Sequence, residues 1–222
     1  MEEKVSAADR ERRGIGEGTT DATRWERRLQ TLAVAVASIG LGYLFFSNLW
    51  WMLPPGFGCS KDFQLEGENA SGLCFWVGTL SGEPRTVLTS NLSSAPLGVP
   101  LGWVAQANGA FIDGFVEPNI GPLAYVIWGT VALVSLSLIL GVFSRLGALL
   151  ATVVALELAI GLAGVSSPRG WEWSFPLMLL LSLALFALAP GRYFGLDRLL
   201  RPRFQAMRDR GSRFGRLLLA FT

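Results

Sequence analysis

Four long apolar runs constrain the fold of this chain more than any other feature of its sequence. They cover residues 29–53, 122–143, 146–165 and 173–189, in approximate bounds. An α-helix rises about 1.5 Å per residue, so roughly 20 apolar residues cross the hydrocarbon core of a bilayer. The 222 residues are 51% hydrophobic and 16% charged, which is typical of membrane proteins. The sequence therefore predicts an all-α membrane protein built as a bundle of four transmembrane helices.

The basic residues predict the orientation of these spans. With the N-terminus inside, 16 of the 19 Lys and Arg residues lie on the inner side, and Lys61, Arg85 and Arg169 lie outside. Because inner loops of membrane proteins carry an excess of Lys and Arg, both termini are predicted to be cytoplasmic. We expect an integral protein of a prokaryotic plasma membrane, surrounded by the lipid bilayer. The distribution of the cations does not indicate a nucleic-acid partner.

Three segments flank or interrupt the predicted membrane domain, residues 23–199. Residues 1–22 are polar and have no apolar periodicity, so we expect a disordered cytoplasmic tail. Residues 56–121 form a long outer loop between the first two spans, and its length predicts that it has a fold of its own. Residues 200–222 mix arginines with apolar side chains, which is typical of a basic amphipathic tail on the inner leaflet.

Few residue types in this chain can carry chemistry. Cys59 and Cys74 are the two cysteines, and both lie in the outer loop, where an oxidising compartment favours a structural disulfide. The chain contains no His, which is the usual ligand of haem, copper and catalytic zinc. We therefore expect neither a metal nor haem. Any chemistry has to come from carboxylates, arginines, aromatic side chains or a bound organic cofactor.

Glu157 is the only charged residue between Leu146 and Val165. A charge in the hydrocarbon layer is costly unless the fold supplies a partner, a proton or a wet cavity. Small residues recur every fourth position on one face of this helix, and Glu157 lies on the other face, beside Gly161 and Gly164. It is a candidate catalytic residue that exchanges protons. The alternative is a carboxyl group that only fixes the register of the helix.

A second candidate site lies at the outer start of the fourth span, in the residues Arg169, Trp171, Glu172 and Trp173. These residues are typical of an aromatic belt with a surface ion pair at the membrane boundary. They also fit an outer-leaflet pocket in which the arginine attracts an anion and the indoles stack on a ring. Such a pocket could bind an anionic substrate that carries a ring. The aromatic belt and the outer-leaflet pocket both stay open as interpretations.

Three stretches together resemble the DoxX/DoxD group of four-helix membrane proteins. They are FVEPN (115–119), LILGVFSRLGAL (138–149) and the closing WEWSFPLMLLLSLALFALAPGRYFGLDRLL (171–200). The group's Leu-Gly-x-x-x-Arg turn and its Gly-x-Gly-Arg-Tyr-Ser-Leu-Asp ending have matching positions here, namely Leu140, Gly141, Arg145, Arg192, Tyr193, Leu196 and Asp197. We interpret Arg145, Arg192 and Asp197 as topological anchors on the inner side. The second helix departs from the group's pattern, because Thr130 rather than Glu follows Gly129.

The resemblance implies a function as well as a fold, since DoxD is the small subunit of thiosulfate:quinone oxidoreductase. It implies an integral membrane subunit of a quinone-linked oxidoreductase, with quinone bound in the bundle, where Glu157 would exchange a proton or form a hydrogen bond with it. The outer site would then bind a quinone or an anion through Arg169, Trp171, Glu172 and Trp173. A second subunit on the outer side would take electrons from a sulfur substrate such as thiosulfate. Two other classes remain open. One is a non-catalytic structural or assembly subunit of a larger respiratory or photosynthetic complex, and the other is a small proton-coupled transporter.

Overall fold

The computed structural model of the protein describes residues 2–65, 70–81, 102–161 and 174–222. Within these ranges the regular structure is helical. The α-helices are α1 (Glu2–Leu49), α2 (Gly72–Ser81), α3 (Gly102–Phe111), α4 (Ile120–Leu140), α5 (Ser144–Gly161), α6 (Ser174–Leu188), α7 (Asp197–Asp209) and α8 (Arg213–Phe221). A π-helical turn (Ile112–Val116) and a 3-10 turn (Glu117–Asn119) join α3 to α4, and a second 3-10 turn (Pro190–Arg192) follows α6.

Two helical stretches are long and apolar enough to cross a membrane. They are Trp25–Leu49 within α1 and Ala107–Leu140, which continues from α3 through α4. A shorter apolar helix, Phe175–Leu188, lies within α6. The predicted all-helical fold is confirmed for the described residues, and the first two predicted spans overlap these two stretches.

The four helices α1, α4, α5 and α6 pack in a ring around one core. In this ring α1 contacts α4, α4 contacts α5, α5 contacts α6, and α6 returns to α1. All four contribute buried side chains to the core, which contains Leu41, Phe45, Val131, Val134, Leu138, Ala148, Ala151 and Leu185. Small residues allow the close approach of α1 to α4: the hydroxyl of Ser38 donates to the carbonyl oxygen of Leu138 at 2.9 Å.

The described residues between α1 and α4 pack over one end of this ring, which we call the disulfide end. Cys59 and Cys74 form the predicted disulfide, and this prediction is confirmed. A second core cluster joins the segment to the ring, because Phe57 and Leu73 are buried together with Ile112 and Leu158. The predicted outer loop therefore contains helices of its own, α2 and α3, which pack on α5.

The first helix begins much earlier than the sequence analysis predicts. The prediction for residues 1–22 is a disordered tail, whereas α1 begins at Glu2. The prediction relies on the missing apolar periodicity. Ala, Glu and Arg are strong helix formers, however, and the stretch contains no proline, so a helix can extend from Trp25 towards the N-terminus without an apolar face.

The opposite end of the ring, which we call the arginine end, is formed by residues 141–145, 190–197 and α7. α7 and α8 pack on each other, and α8 also contacts α5. The side chain of Ser212 caps α8 by accepting a hydrogen bond from the N–H of Gly215. The predicted amphipathic tail, residues 200–222, thus consists of most of α7 together with α8.

Candidate functional site

Glu157 lies in the last turns of α5, towards the disulfide end, and is half-buried. Its side chain forms a hydrogen bond with the side chain of Asn108 in α3. The two helices contact each other in the fold, which brings these polar groups together. A carboxyl group and an amide side chain therefore meet at a place where the surrounding helix surfaces are apolar.

Asn108 is a site residue that the sequence analysis does not identify. It begins a series with a spacing of four residues whose next members are Ile112, Val116 and Ile120. These three side chains are only 2%, 8% and 6% exposed, so the series marks the buried face of this stretch. A single polar residue on an otherwise apolar face is the sequence signal that could have identified Asn108.

Two further polar groups on α4 are buried in the fold. The indole nitrogen Nε1 of Trp128 and the hydroxyl of Ser135 are buried, and neither has a hydrogen-bond partner among the described residues. Both belong to α4, and a separation of seven residues places them on nearly the same face of that helix. Trp128 packs against the same apolar cluster that contains Leu158, the neighbour of Glu157. Buried donors without an acceptor are rare in folded proteins, so these two groups are suited to bind a ligand.

The second predicted site cannot be placed in the fold. Arg169, Trp171, Glu172 and Trp173 lie outside the described residues. The outer-leaflet pocket and the aromatic belt both stay predictions. Gly164, one of the two glycines expected beside Glu157, is also outside these ranges.

At the arginine end, Asp197 is fully buried and caps the start of α5. Its Oδ1 accepts a hydrogen bond from the N–H of Phe143 at 2.7 Å, and its Oδ2 accepts one from the N–H of Ser144 at 2.9 Å. These N–H groups belong to the helix start, where main-chain donors have no partner within the helix. Asp197 therefore acts as an N-cap that a distant part of the chain supplies.

Close contacts between main-chain segments hold this arrangement in place. The N–H of Asp197 donates to the carbonyl oxygen of Gly141 at 2.9 Å, and the N–H of Gly191 donates to the Ser144 hydroxyl at 3.0 Å. Gly141 has a φ of +63°, and a Cβ atom there would lie 2.5 Å from the Cα of Gly195. The position of Gly141 thus requires glycine both for its conformation and for space.

Arg145 and Arg192, which the sequence analysis interprets as anchors, lie at this same end together with Arg201 of α7. The Arg192 guanidinium donates from Nε and Nη2 to the main-chain oxygen of Thr222, at 2.9 and 2.8 Å. The Nε atoms of Arg145 and Arg201 are buried and have no partner in the described part of the chain. The structure thus brings the motif residues of the two distant stretches into one cluster.

Within the described ranges, no group of three Cys, Asp or Glu side chains could hold a metal ion. The expectation that the chain binds neither metal nor haem stays a prediction. The fold and these contacts define a helical protein with two candidate membrane spans and one disulfide. Comparison with family models, with curated proteins and with solved structures gives no match to this chain.

Proposed function

We propose that the chain is an integral membrane protein in which α1, α4, α5 and α6 are the four spans. Each of these helices carries large apolar side chains on the outside of the ring. Val36, Leu136, Val153 and Leu180, one from each helix, are between 53% and 64% exposed. Apolar surface that encircles a protein is unfavourable in water and favourable in a bilayer.

The inside of the ring supports the same proposal. The side chains of Ser38, Ser135 and Ser182 are fully buried in it. Small hydroxylated residues between helices are typical of membrane bundles, since helices in lipid associate through close packing and hydrogen bonds. The distribution of Lys and Arg in the sequence favours an inner, cytoplasmic position for the arginine end.

Within this membrane protein, the proposed function is that of a quinone-binding subunit of an oxidoreductase, of the DoxX/DoxD type. The observation that carries the proposal is the half-buried pair of Glu157 and Asn108 beside an apolar cluster. A quinone has an apolar ring and two carbonyl oxygens, so its site needs an apolar cleft and a few polar groups. The unpartnered indole N–H of Trp128 is a donor that a quinone carbonyl would satisfy.

Reduction of a quinone to a quinol consumes two electrons and two protons. The carboxyl group of Glu157 would pass protons to the quinone oxygens, and Asn108 would hold the carboxyl group in position. The electrons would come from oxidation of a reduced sulfur anion such as thiosulfate on a second subunit at the outer face. The chain's own contribution would be to bind the quinone and to deliver protons.

Retention of quinone by the purified protein tests this function. The wild-type protein is extracted in a mild detergent, and bound quinone is measured by chromatography. Glu157→Gln keeps the shape of the side chain and removes its proton exchange and charge. We expect it to weaken quinone binding by about tenfold, because an amide N–H donates a weaker hydrogen bond to a quinone carbonyl than a carboxyl O–H does. Thr152→Val is the matched control, because Thr152 donates within its own helix to the carbonyl oxygen of Ala148.

The outcomes separate the proposed function from its alternatives. Saturable quinone binding that Glu157→Gln weakens and Thr152→Val leaves unchanged supports the proposal. A wild-type protein that neither retains quinone nor binds added quinone contradicts it. An assembly subunit would instead show its effect in cells, where deletion lowers the amount of a partner complex without changing turnover per complex. A transporter would produce proton-dependent solute flux in liposomes.

A further inference from the structure

Three arginines belong to elements that meet at the arginine end, where the turn after α6 contacts both α5 and α7. Arg145 is in the first turn of α5, Arg192 is in the turn after α6, and Arg201 is in α7. Burial lowers the pKa of the Arg192 guanidinium, and the positive charges of Arg145 and Arg201 lower it further. The three side chains come from separate elements, so the fold brings three like charges together despite their mutual repulsion.

The described residues compensate this charge only in part. The charges of Asp197 and Tyr193 act on Arg192 in the opposite direction from those of Arg145 and Arg201. Both carboxylate oxygens of Asp197 already accept main-chain hydrogen bonds from Phe143 and Ser144. The cluster therefore combines three cations with one carboxylate that is already used as a helix cap.

Among the described residues, two of the three arginines also lack a hydrogen-bond acceptor for one buried N–H group. Arg192 has an acceptor in the main-chain oxygen of Thr222. The Nε atoms of Arg145 and Arg201 are buried, and within the described ranges no acceptor faces them. A buried N–H group of a cation that lacks an acceptor is strongly unfavourable, and protein interiors rarely contain one. Two such groups beside a third arginine form a set of donors that suits an anion.

We propose that Arg145, Arg192 and Arg201 form a binding site for a phosphate group. A phosphate carries several acceptor oxygens that point in different directions, and it can accept from guanidinium groups that approach from separate elements. The phosphate could belong to the headgroup of an anionic phospholipid or be free inorganic phosphate. α7 supports the first source, because arginine-rich amphipathic helices lie at anionic membrane surfaces. This inference does not depend on the quinone proposal.

The test uses the full chain purified in an uncharged detergent. Three probes are titrated: phosphatidylglycerol, diacylglycerol with the same acyl chains but no phosphate, and inorganic phosphate. Binding is followed by native mass spectrometry and by the shift of the unfolding temperature. Arg201→Gln removes one member of the cluster. Arg203→Gln is the matched control, since Arg203 lies on the same helix but is exposed, and the charge change is identical.

We expect saturable binding that Arg201→Gln weakens at least about tenfold and Arg203→Gln changes less than about twofold. Binding of phosphatidylglycerol alone identifies a lipid headgroup, and binding of inorganic phosphate identifies a free anion. Either result supports the site. The proposal is overturned if no phosphate probe binds saturably, if diacylglycerol binds as tightly as phosphatidylglycerol, or if Arg203→Gln weakens binding as much as Arg201→Gln.

The unliganded protein gives a second, independent readout. Without phosphate, Arg201 contributes a like charge to the cluster and no hydrogen bond that the fold needs. Arg201→Gln should therefore unfold at the same temperature as the wild type or at a higher one in phosphate-free detergent. A clearly lower unfolding temperature would show that Arg201 has a structural partner, which would overturn the proposal.

Discussion

Asp197 Oδ2 accepts a hydrogen bond of 2.9 Å from the main-chain N–H of Ser144, a residue 53 positions earlier in the chain. Through this contact, the segment after α6 caps the first turn of α5. The cap is fully buried and the adjoining glycines leave no space for other residues. Residues 141–145 and 190–197 therefore share a structural role, which is to close one end of the bundle.

The first prediction concerns this cap. Asp197→Asn keeps the size of the side chain but replaces one acceptor oxygen by a donor, so one N–H of the helix start loses its partner. We expect the free energy of unfolding to fall by about 1–3 kcal/mol. Thermal unfolding in detergent measures the change. Asp209→Asn is the control, because Asp209 forms an exposed ion pair with Arg208. Equal effects of the two substitutions would contradict the capping role.

The second prediction concerns the glycine contact behind the cap. Gly141→Ala places a Cβ atom against the main chain of Gly195 at a positive φ, and we expect a loss of more than about 1 kcal/mol. Gly129→Ala is the matched control within α4, since a Cβ atom at Gly129 would meet nothing within 4 Å. There the change should be neutral or stabilise by up to about 1 kcal/mol. The same unfolding assay compares the two variants. If both substitutions destabilised the protein equally, the requirement for glycine at position 141 would be contradicted.

Much of the fold could be predicted from the sequence, because helices that pack into an apolar bundle need long apolar runs and those runs are visible in it. The pairing of Cys59 with Cys74 could also be predicted, since the chain has no other cysteine. Asn108 was missed because a long segment between spans can adopt many registers, and the sequence alone does not set which of its residues meets Glu157. The role of Asp197 was also missed: a charged residue beside arginines favours a surface anchor, and only the fold buries it.

The disulfide gives a third prediction. Cys59 and Cys74 are 15 residues apart and close a loop over the disulfide end. By the chain-entropy model, a loop of this length contributes about 3 kcal/mol to stability. The Cys59→Ala, Cys74→Ala double variant should therefore unfold at a lower temperature than the wild type. Reductant should lower the unfolding temperature of the wild type but not that of the variant. An unfolding temperature of the wild type that reductant leaves unchanged would argue against this contribution.

The fourth prediction tests orientation. Both native cysteines are disulfide-bonded, so an added cysteine is the one free thiol that a maleimide can label. Gln64 and Gln205 are exposed and lie at the disulfide end and in α7 respectively. In intact cells, a membrane-impermeant maleimide should label Gln64→Cys and should label Gln205→Cys only after lysis. Labelling in the reverse order would invert the topology, and labelling of both in intact cells would contradict a spanning bundle.

The most direct test of the proposed function is the quinone-reducing turnover of the assembled complex that contains Glu157→Gln. With the variant assembled in normal amount, turnover per complex should fall at least about a hundredfold, the lower range for loss of an acid–base catalyst. Thr152→Val should leave turnover unchanged. If the Glu157→Gln complex assembles and reduces quinone at the wild-type rate, Glu157 has no part in the reaction and the account of this site is wrong.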